Sequence, residues 1–272
     1  MTDRLKNKVV IVTGGGSGLG RAGSVMMAAE GAVVVVAEIN EAAGRAVADS
    51  IGKSGGQACF LPLDVRESES VQALVRETTS RFGRIDALYH NAVDARFVNQ
   101  QDRRLTELPE ETWDRMMNLV LRGTFLCCKY VGQQMISQKS GSMVLTATVD
   151  ALVGCAGLDA YTAAKGGVVS LTRSFAAGMA RDGVRVNALC PGFVATEPQK
   201  EWLEKPGARQ TMEVLHLLPV PSPEKIVPFA VFLASDESAA VTGGVFPVDC
   251  GYTAFKANLD VMGTMQPETP GK

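Results

Sequence analysis

The sequence predicts a doubly wound α/β fold, a parallel sheet of about seven strands flanked by helices. Three observations predict it. Short runs of β-branched and aliphatic residues, with no polar alternation, recur along the 272 residues; strands that are apolar on both faces belong to parallel sheets covered on both sides. Stretches of helical periodicity separate these runs, and right-handed crossovers then put helices on the two faces. The first apolar run passes directly into a glycine-rich turn, Thr13-Gly14-Gly15-Gly16-Ser17-Gly18-Leu19-Gly20.

Residues 9–13 are a buried strand, because three valines and an isoleucine precede the glycines. Residues 19–30 read as a helix that Gly31 ends. Residues 33–37 are almost pure valine and form the second strand. A helix over 40–53 is punctuated by Gly55-Gly56, and a third strand spans 59–63. A helix over 68–82 precedes a fourth strand at 87–90. One long helix is expected over 110–138, with Pro109 near its start. Residues 142–147 are a strand, 159–181 a helix closed near Gly183, and 184–189 a strand. Pro191-Gly192 opens a longer irregular region reaching about Pro223. A helix over 224–234 and a strand over 245–248 complete the sheet. No linker, repeat or low-complexity run divides the chain. Residues 1–255 are therefore read as a single domain, and residues 256–272, polar and Pro/Gly-containing near their end, as a C-terminal tail or arm.

Composition narrows the function. The chain carries 27 basic and 29 acidic residues, a net charge of −2, so no basic field exists to hold nucleic acid or anionic lipid. Neither nucleic acid nor membrane is expected as a partner. No stretch is long and apolar enough for a membrane span, and the N-terminus lacks a signal-type apolar region. The six cysteines form no C-x-x-C pair and read as reduced thiols, small buried hydrophobes in a reducing compartment. Cytoplasm is the expected location. The two histidines, His90 and His216, are too far apart for a zinc site of ordinary spacing.

The glycine-rich turn is a candidate cofactor site. Glycines let the backbone turn tightly and approach a pyrophosphate, and the following helix offers free N–H groups and a positive dipole end. Gly14, Gly16, Ser17, Gly18, Leu19 and Gly20 are its candidate residues. Glu38 ends the second strand, 24 positions beyond Gly14. A carboxylate there accepts hydrogen bonds from the adenosine ribose hydroxyls and repels a 2′-phosphate, and no Lys or Arg follows at 39 or 40. NAD is therefore expected over NADP. Asp64-Val65, after the third strand, could meet the adenine amino group. Asn91-Ala92 ends the fourth strand. All these turns fall on the carboxyl edge of the sheet, where open α/β sheets bind ligands.

Tyr161 and Lys165 lie at i and i+4 of a predicted helix, which puts phenol and ammonium on one face. A free phenol has a pKa of about 10; a nearby ammonium and an oxidised nicotinamide would lower it toward the range a general base needs.

These segments together resemble the short-chain dehydrogenase/reductase family over roughly residues 5–255. The resemblance rests on the glycine turn at 13–20, Asp64-Val65, Asn91-Ala92, YTAAK at 161–165, RVNALCPGFVAT at 185–196 and VTGGVFPVDCGY at 241–252. It implies a single-domain Rossmann fold, a homotetramer or homodimer, and Tyr161 as general base or acid. It implies that Lys165 lowers the tyrosine pKa and holds the nicotinamide ribose. Thr196, with the backbone around Pro191, Gly192 and Val194, would meet the carboxamide. Three positions depart from the family pattern. Thr148 stands where the family has serine; it keeps a hydroxyl, with an added methyl and a stiffer χ1. Val120 stands where the family has an asparagine that holds a water of the proton relay. Asn118 lies about 200° away around an ideal helix and could substitute only through a helix distortion. Asn-Asn-Ala-Gly becomes His90-Asn91-Ala92-Val93, with His90 read as a hydrogen-bonded core histidine.

The expected function is an NAD-dependent oxidoreductase moving a hydride between nicotinamide and a small-molecule secondary alcohol or ketone. Segments 94–104, 149–158 and 193–219 should wall the pocket, the last through Trp202, Met212, Leu215, His216, Leu217 and Leu218. Pro206-Gly207 would suit a lid. Two other readings stand beside this one: a catalytically weakened NAD-binding or scaffold protein, and an isomerase or lyase using the same phenolate.

Overall fold

A computed structural model describes residues 3–254. The proposed tail at 256–272 lies outside the described residues. Seven strands form one parallel sheet in the order β3-β2-β1-β4-β5-β6-β7. They are β1 (Val9–Thr13), β2 (Val33–Glu38), β3 (Gln57–Pro62), β4 (Ala87–His90), β5 (Gly141–Thr146), β6 (Val184–Pro191) and β7 (Val245–Val248). The order reverses between β1 and β4, which pair in register from Val10 opposite Ala87 to Thr13 opposite His90. That switch point opens a crevice at the carboxyl edge.

Alternation of side chains along each strand sends neighbours to opposite faces. Val9 and Ile11 therefore enter one core with Leu88, Met143 and Leu145. Val10 and Val12 enter the other with Val34, Val36, Tyr89 and Leu189. The first core packs under α3 (Ser68–Phe82), α6 (Gly123–Gln138) and α7 (Asp159–Met179), the second under α1 (Gly18–Ala29), α2 (Glu41–Lys53) and α10 (Pro223–Ala234). Full burial of each aliphatic side chain contributes about 1.5–3 kcal/mol, which is why strands this apolar stay between two helix layers. Among the described residues, no helix is long and apolar enough to cross a membrane.

Three local differences from the sequence reading matter. The single helix expected over 110–138 is divided: α5 (Glu110–Met116) passes through a turn of π-helix at Met117–Arg122 before α6. Hydrophobic periodicity does not register the one extra residue that a π-turn inserts. Residues 94–104 contain a short helix, α4 (Ala95–Gln101), capped by the Asp94 side chain accepting from the Phe97 N–H at 2.9 Å. The irregular region holds α8 (Glu197–Leu203) and α9 (Ala208–Glu213), with Gly207 at φ +75° between them. Pro198 in the first turn of α8 is a start signal that the irregular composition around it masked.

Candidate active site

A hydrogen-bonded chain ties the carboxyl ends of β1, β4 and β5 together. The Thr13 hydroxyl accepts the N–H groups of Asn91 at 3.0 Å and Ala92 at 3.3 Å, and lies 2.9 Å from His90 Nδ1. With both lone pairs taken, its single hydrogen goes to Nδ1, which assigns His90 the Nε2–H tautomer. Burial, with the Lys165 charge adding, pushes His90 down to about 3. It is a neutral core histidine, as expected, and not a proton relay. Thr146 Oγ1 donates to Asn91 Oδ1 at 2.6 Å, and the Thr146 carbonyl accepts from Lys165 Nζ at 2.5 Å. Lys165 is 3% exposed, and burial pushes its ammonium down to about 8.

Tyr161 sits one turn before Lys165 on α7, with Lys165 Nζ 5.7 Å from its ring centre. The expected lowering of the phenol invokes Lys165 together with an oxidised nicotinamide; in the protein alone, burial outweighs it. Burial raises Tyr161 well above the ordinary phenol range and the Asp150 charge raises it further, while one of the three donors of the Lys165 ammonium goes to the Thr146 carbonyl. Thr148 is 6% exposed at the end of β5, and its hydroxyl donates to Asp150 Oδ2 at 3.0 Å. Asp150 itself is shifted upward, chiefly by burial. Sequence reasoning did not single out Asp150; its position two residues after Thr148 was the available signal.

The glycine turn has the shape a dinucleotide requires. Gly14 has φ +62°, and a Cβ on it would lie 3.0 Å from the Ala92 Cα. A Cβ on Gly20 would lie 2.0 Å from the Gly14 carbonyl oxygen, so helix and turn close only with glycine there. Ser17 occupies the N-cap position of α1 without a side-chain cap, and Leu19 packs on the second core. Glu38 reaches back across the turn: Oε2 accepts the Gly16 N–H at 3.1 Å, and Oε1 accepts those of Ile39 at 2.9 Å and Asn40 at 3.0 Å. Of about four acceptor positions on a carboxylate, three are used and one remains for a ribose hydroxyl. The glycine cradle and this acceptor fit an adenine dinucleotide. Asp64 is engaged by Arg66, Nη2 at 2.6 Å, and that bond holds its carboxyl below the ordinary range. Val65 is buried beside it.

Glu197 was not anticipated. Its Oε2 accepts the Gly18 N–H at 3.3 Å while Oε1 pairs with Arg21. A carboxylate thus occupies the first turn of α1. Thr196, immediately before it, faces the same turn: a Cβ on Gly18 would lie 3.3 Å from the Thr196 methyl. Pro191, Gly192 and Val194 lead from β6 to that position, so the residues nominated for the two ends of the cofactor meet across one crevice. Phe193, Trp202 and Met212 pack on a small core of Ala195, Leu203 and Val220. Trp202 and Met212, named as pocket walls, pack the short helices α8 and α9 onto this small core. His216 is buried against Tyr252, ring centres 5.2 Å apart, whereas Leu215, Leu217 and Leu218 are exposed.

Val120 is 1% exposed and belongs to the core cluster that holds Ala147, Val149 and Ala164. The π-turn is the distortion that could have moved Asn118 into its place, but Asn118 accepts from Arg122 and lines an outer groove. It does not replace the asparagine. Val93 is 38% exposed on the carboxyl side of β4.

A family model described as enoyl-(acyl carrier protein) reductase matches residues 14–253. A 2,5-dichloro-2,5-cyclohexadiene-1,4-diol dehydrogenase of Sphingobium indicum is 39% identical over 254 residues, covering 92% of this chain and 99% of that protein. A cyclohexanol dehydrogenase of an Acinetobacter species is 32% identical over 257 residues, covering 93% and 98%. A short-chain type dehydrogenase/reductase from Mycobacterium ulcerans superposes with a TM-score of 0.88 at 25% identity, covering 93% and 92%. With the seven-stranded parallel sheet and the glycine turn, these matches make the chain a member of the short-chain dehydrogenase/reductase family, oxidoreductases that use a nicotinamide cofactor.

Proposed function

We propose that the protein is an NAD-dependent dehydrogenase of secondary alcohols, with cyclic alcohols as the leading class. The observation that carries the reading is the grouping of Tyr161, Lys165 and Thr148 at the carboxyl edge, directly beyond the Asn91–Thr146 bond and beside the glycine turn. In this reading Gly14, Gly16, Ser17, Gly18, Leu19 and Gly20 hold the pyrophosphate, and Glu38 takes the adenosine ribose. Asp64, Val65, Asn91 and Ala92 line the adenine side, and Pro191, Gly192, Val194 and Thr196 the carboxamide. Glu38 supports NAD over NADP, because a second anion beside its carboxylate is repelled. Two of the relatives act, by name, on cyclic alcohols.

Tyr161 takes the hydroxyl proton of the substrate at its phenolate oxygen. Thr148 fixes the substrate oxygen, and Lys165 places its positive charge on the same face of α7. The bound nicotinamide supplies the hydride acceptor. Deprotonating Tyr161 against its burial requires positive charge in the crevice. The cation of an oxidised nicotinamide meets that requirement.

NADH formation across a panel of cyclic, steroidal, sugar and hydroxyacyl alcohols tests the reading, with Tyr161→Phe as control. Turnover with NAD that the control loses by about a thousandfold is expected. Silence across the panel with NAD binding intact would favour the weakened binding protein instead.

Self-association is part of the proposal. A groove of about 710 Å³ between α5, the π-turn and α7 is lined by Met117, Leu121, Phe125 and Leu171, and Phe125 is 42% exposed. A homodimer or homotetramer covering this face is expected, and light scattering measures it. Six unpaired cysteines support a reducing compartment such as the cytoplasm.

A further inference from the structure

The segment that follows α9 inverts the usual placement of polar and apolar side chains. Val214, Leu215, Leu217 and Leu218 are exposed, while His216 between them is 4% exposed. A buried imidazole needs partners for both ring nitrogens. His216 Nδ1 lies 2.7 Å from the Met212 carbonyl, which can only accept, so Nδ1 carries the hydrogen of the neutral ring. Nε2 is then a bare acceptor, buried and with no hydrogen-bond partner among the described residues. The ring lies against Tyr252, centres 5.2 Å apart and tilted by 48°. Backbone bonds fix the two segments together: the Leu217 and Leu218 N–H groups donate to the Cys250 carbonyl at 2.8 and 3.1 Å. Tyr252 in turn faces the catalytic groups. Burial raises its phenol, and Asp150 and Cys155 add to that. Asp150 accepts from the Thr148 hydroxyl at 3.0 Å. The unpaired acceptor is thus one aromatic ring away from the carboxylate that holds Thr148.

We propose that His216 is a specificity-determining residue whose Nε2 accepts the O–H of a second hydroxyl on the substrate, which makes the substrate a cyclic diol. The inference rests on the dehydrogenase reading above and deepens it. The reacting hydroxyl lies at Tyr161 and Thr148, and a rigid ring carries the second one to His216 at a fixed separation. Only a donor satisfies Nε2, so a simple cyclic alcohol leaves it unpaired and an ether oxygen in the same place gains nothing. A site built to bond a hydroxyl rejects the analogue that lacks it more strongly than an apolar pocket rejects a missing methylene. Gly207, at φ +75° ahead of α9, gives the segment the hinge on which it parts to admit the ring.

Binding without turnover tests this. Cyclohexanediols with the two hydroxyls on adjacent, alternate and opposite carbons, the monomethyl ether of each, and cyclohexanol are titrated by calorimetry into the full-length protein with NADH. At least one diol is expected to bind about tenfold more tightly than cyclohexanol, and its ether is expected to lose that gain. His216→Phe keeps a ring against Tyr252 and removes the acceptor; it should bring the ratio of cyclohexanol to diol Kd close to one. His216→Asn, whose amide can still donate to the Met212 carbonyl, should lose the preference as well. His216→Gln, whose longer amide reaches the place of Nε2, should recover part of it, a split that a merely structural role would not produce. If His216→Phe fails to fold, the Asn and Gln variants carry the comparison. No diol preference in the wild type, a preference that survives His216→Asn, or binding of none of the ligands overturns the proposal. The dehydrogenase reading fails separately, when no alcohol yields NADH in the panel above while the diol preference still responds to His216.

Discussion

Asp102 caps the helix that carries Tyr161 from 59 positions away in sequence: Oδ2 accepts the Tyr161 N–H at 2.8 Å and Oδ1 the Ala160 N–H at 3.1 Å. Leu158, at the N-cap position itself, has no side chain able to do this. Asp159 answers by accepting the Leu105 N–H at 2.7 Å, so the segment after α4 and the start of α7 are stapled in both directions. A carboxylate on the first N–H groups of a helix satisfies orphan donors and complements the dipole.

Asp102→Ala should destabilise the protein by about 1 kcal/mol, the usual worth of a cap. Because the cap lies on the backbone of Tyr161, kcat should fall more than KM rises, and Asp102→Asn should recover part of both. Chemical denaturation and steady-state kinetics measure the two effects. A stability loss with unchanged kcat would reduce Asp102 to a purely structural role.

Glu38 ties the glycine turn to the end of β2 through the Gly16 N–H. Glu38→Ser should lower kcat/KM with NAD by at least about tenfold. The ratio of NAD to NADP efficiency should fall further, because the repulsion toward a 2′-phosphate disappears with the carboxylate. An unchanged ratio would remove Glu38 as the selector.

Glu197 holds the Gly18 N–H at the positive end of α1, where an anionic ligand would bind. Glu197→Gln should therefore tighten NAD binding several-fold, since a neutral amide competes less well than a carboxylate for that N–H. Fluorescence or calorimetric titration of NAD measures it. Weaker binding in the variant would mean that the Arg21–Glu197 pair instead holds α8 in place for the cofactor.

His90 makes the fold acid-sensitive. Its folded pKa of about 3 lies far below the 6.5 of an exposed histidine. Between those two values the unfolded chain binds a proton that the folded protein does not, so stability falls as pH falls from 6.5 toward 3. One proton corresponds to a slope of about 1.4 kcal/mol per pH unit at its steepest. His90→Asn should flatten this component while keeping a polar partner for Thr13. Equal pH slopes of unfolding free energy in both proteins would refute it.

Much of the fold was legible because burial on both faces leaves a strand no choice of residue type. Val9–Thr13 and Val33–Glu38 could be read as interior parallel strands from their valines alone. The glycine turn was legible for a similar reason: Gly14 and Gly20 stand where backbone meets backbone and no side chain fits. Tyr161 and Lys165 share a face by helical spacing, which is local geometry.

What the sequence could not give were relations between segments distant in the chain. The helix expected over 110–138 is unwound into the π-turn where it packs against α7, a contact between distant segments. The direction of Asn118 followed from that turn and not from its spacing to Val120. The carboxylates of Asp102 and Glu197 find their N–H partners across 59 and 179 positions. The burial that raises Tyr161 likewise comes from segments assembled around the crevice. By itself the sequence determined the layers of the sheet, the glycine turn at the end of β1 and the shared helix face of Tyr161 and Lys165, because each depends on local sterics or a short period. The tertiary structure alone decided which charges face which, because electrostatics and desolvation depend on distance in space and not along the chain.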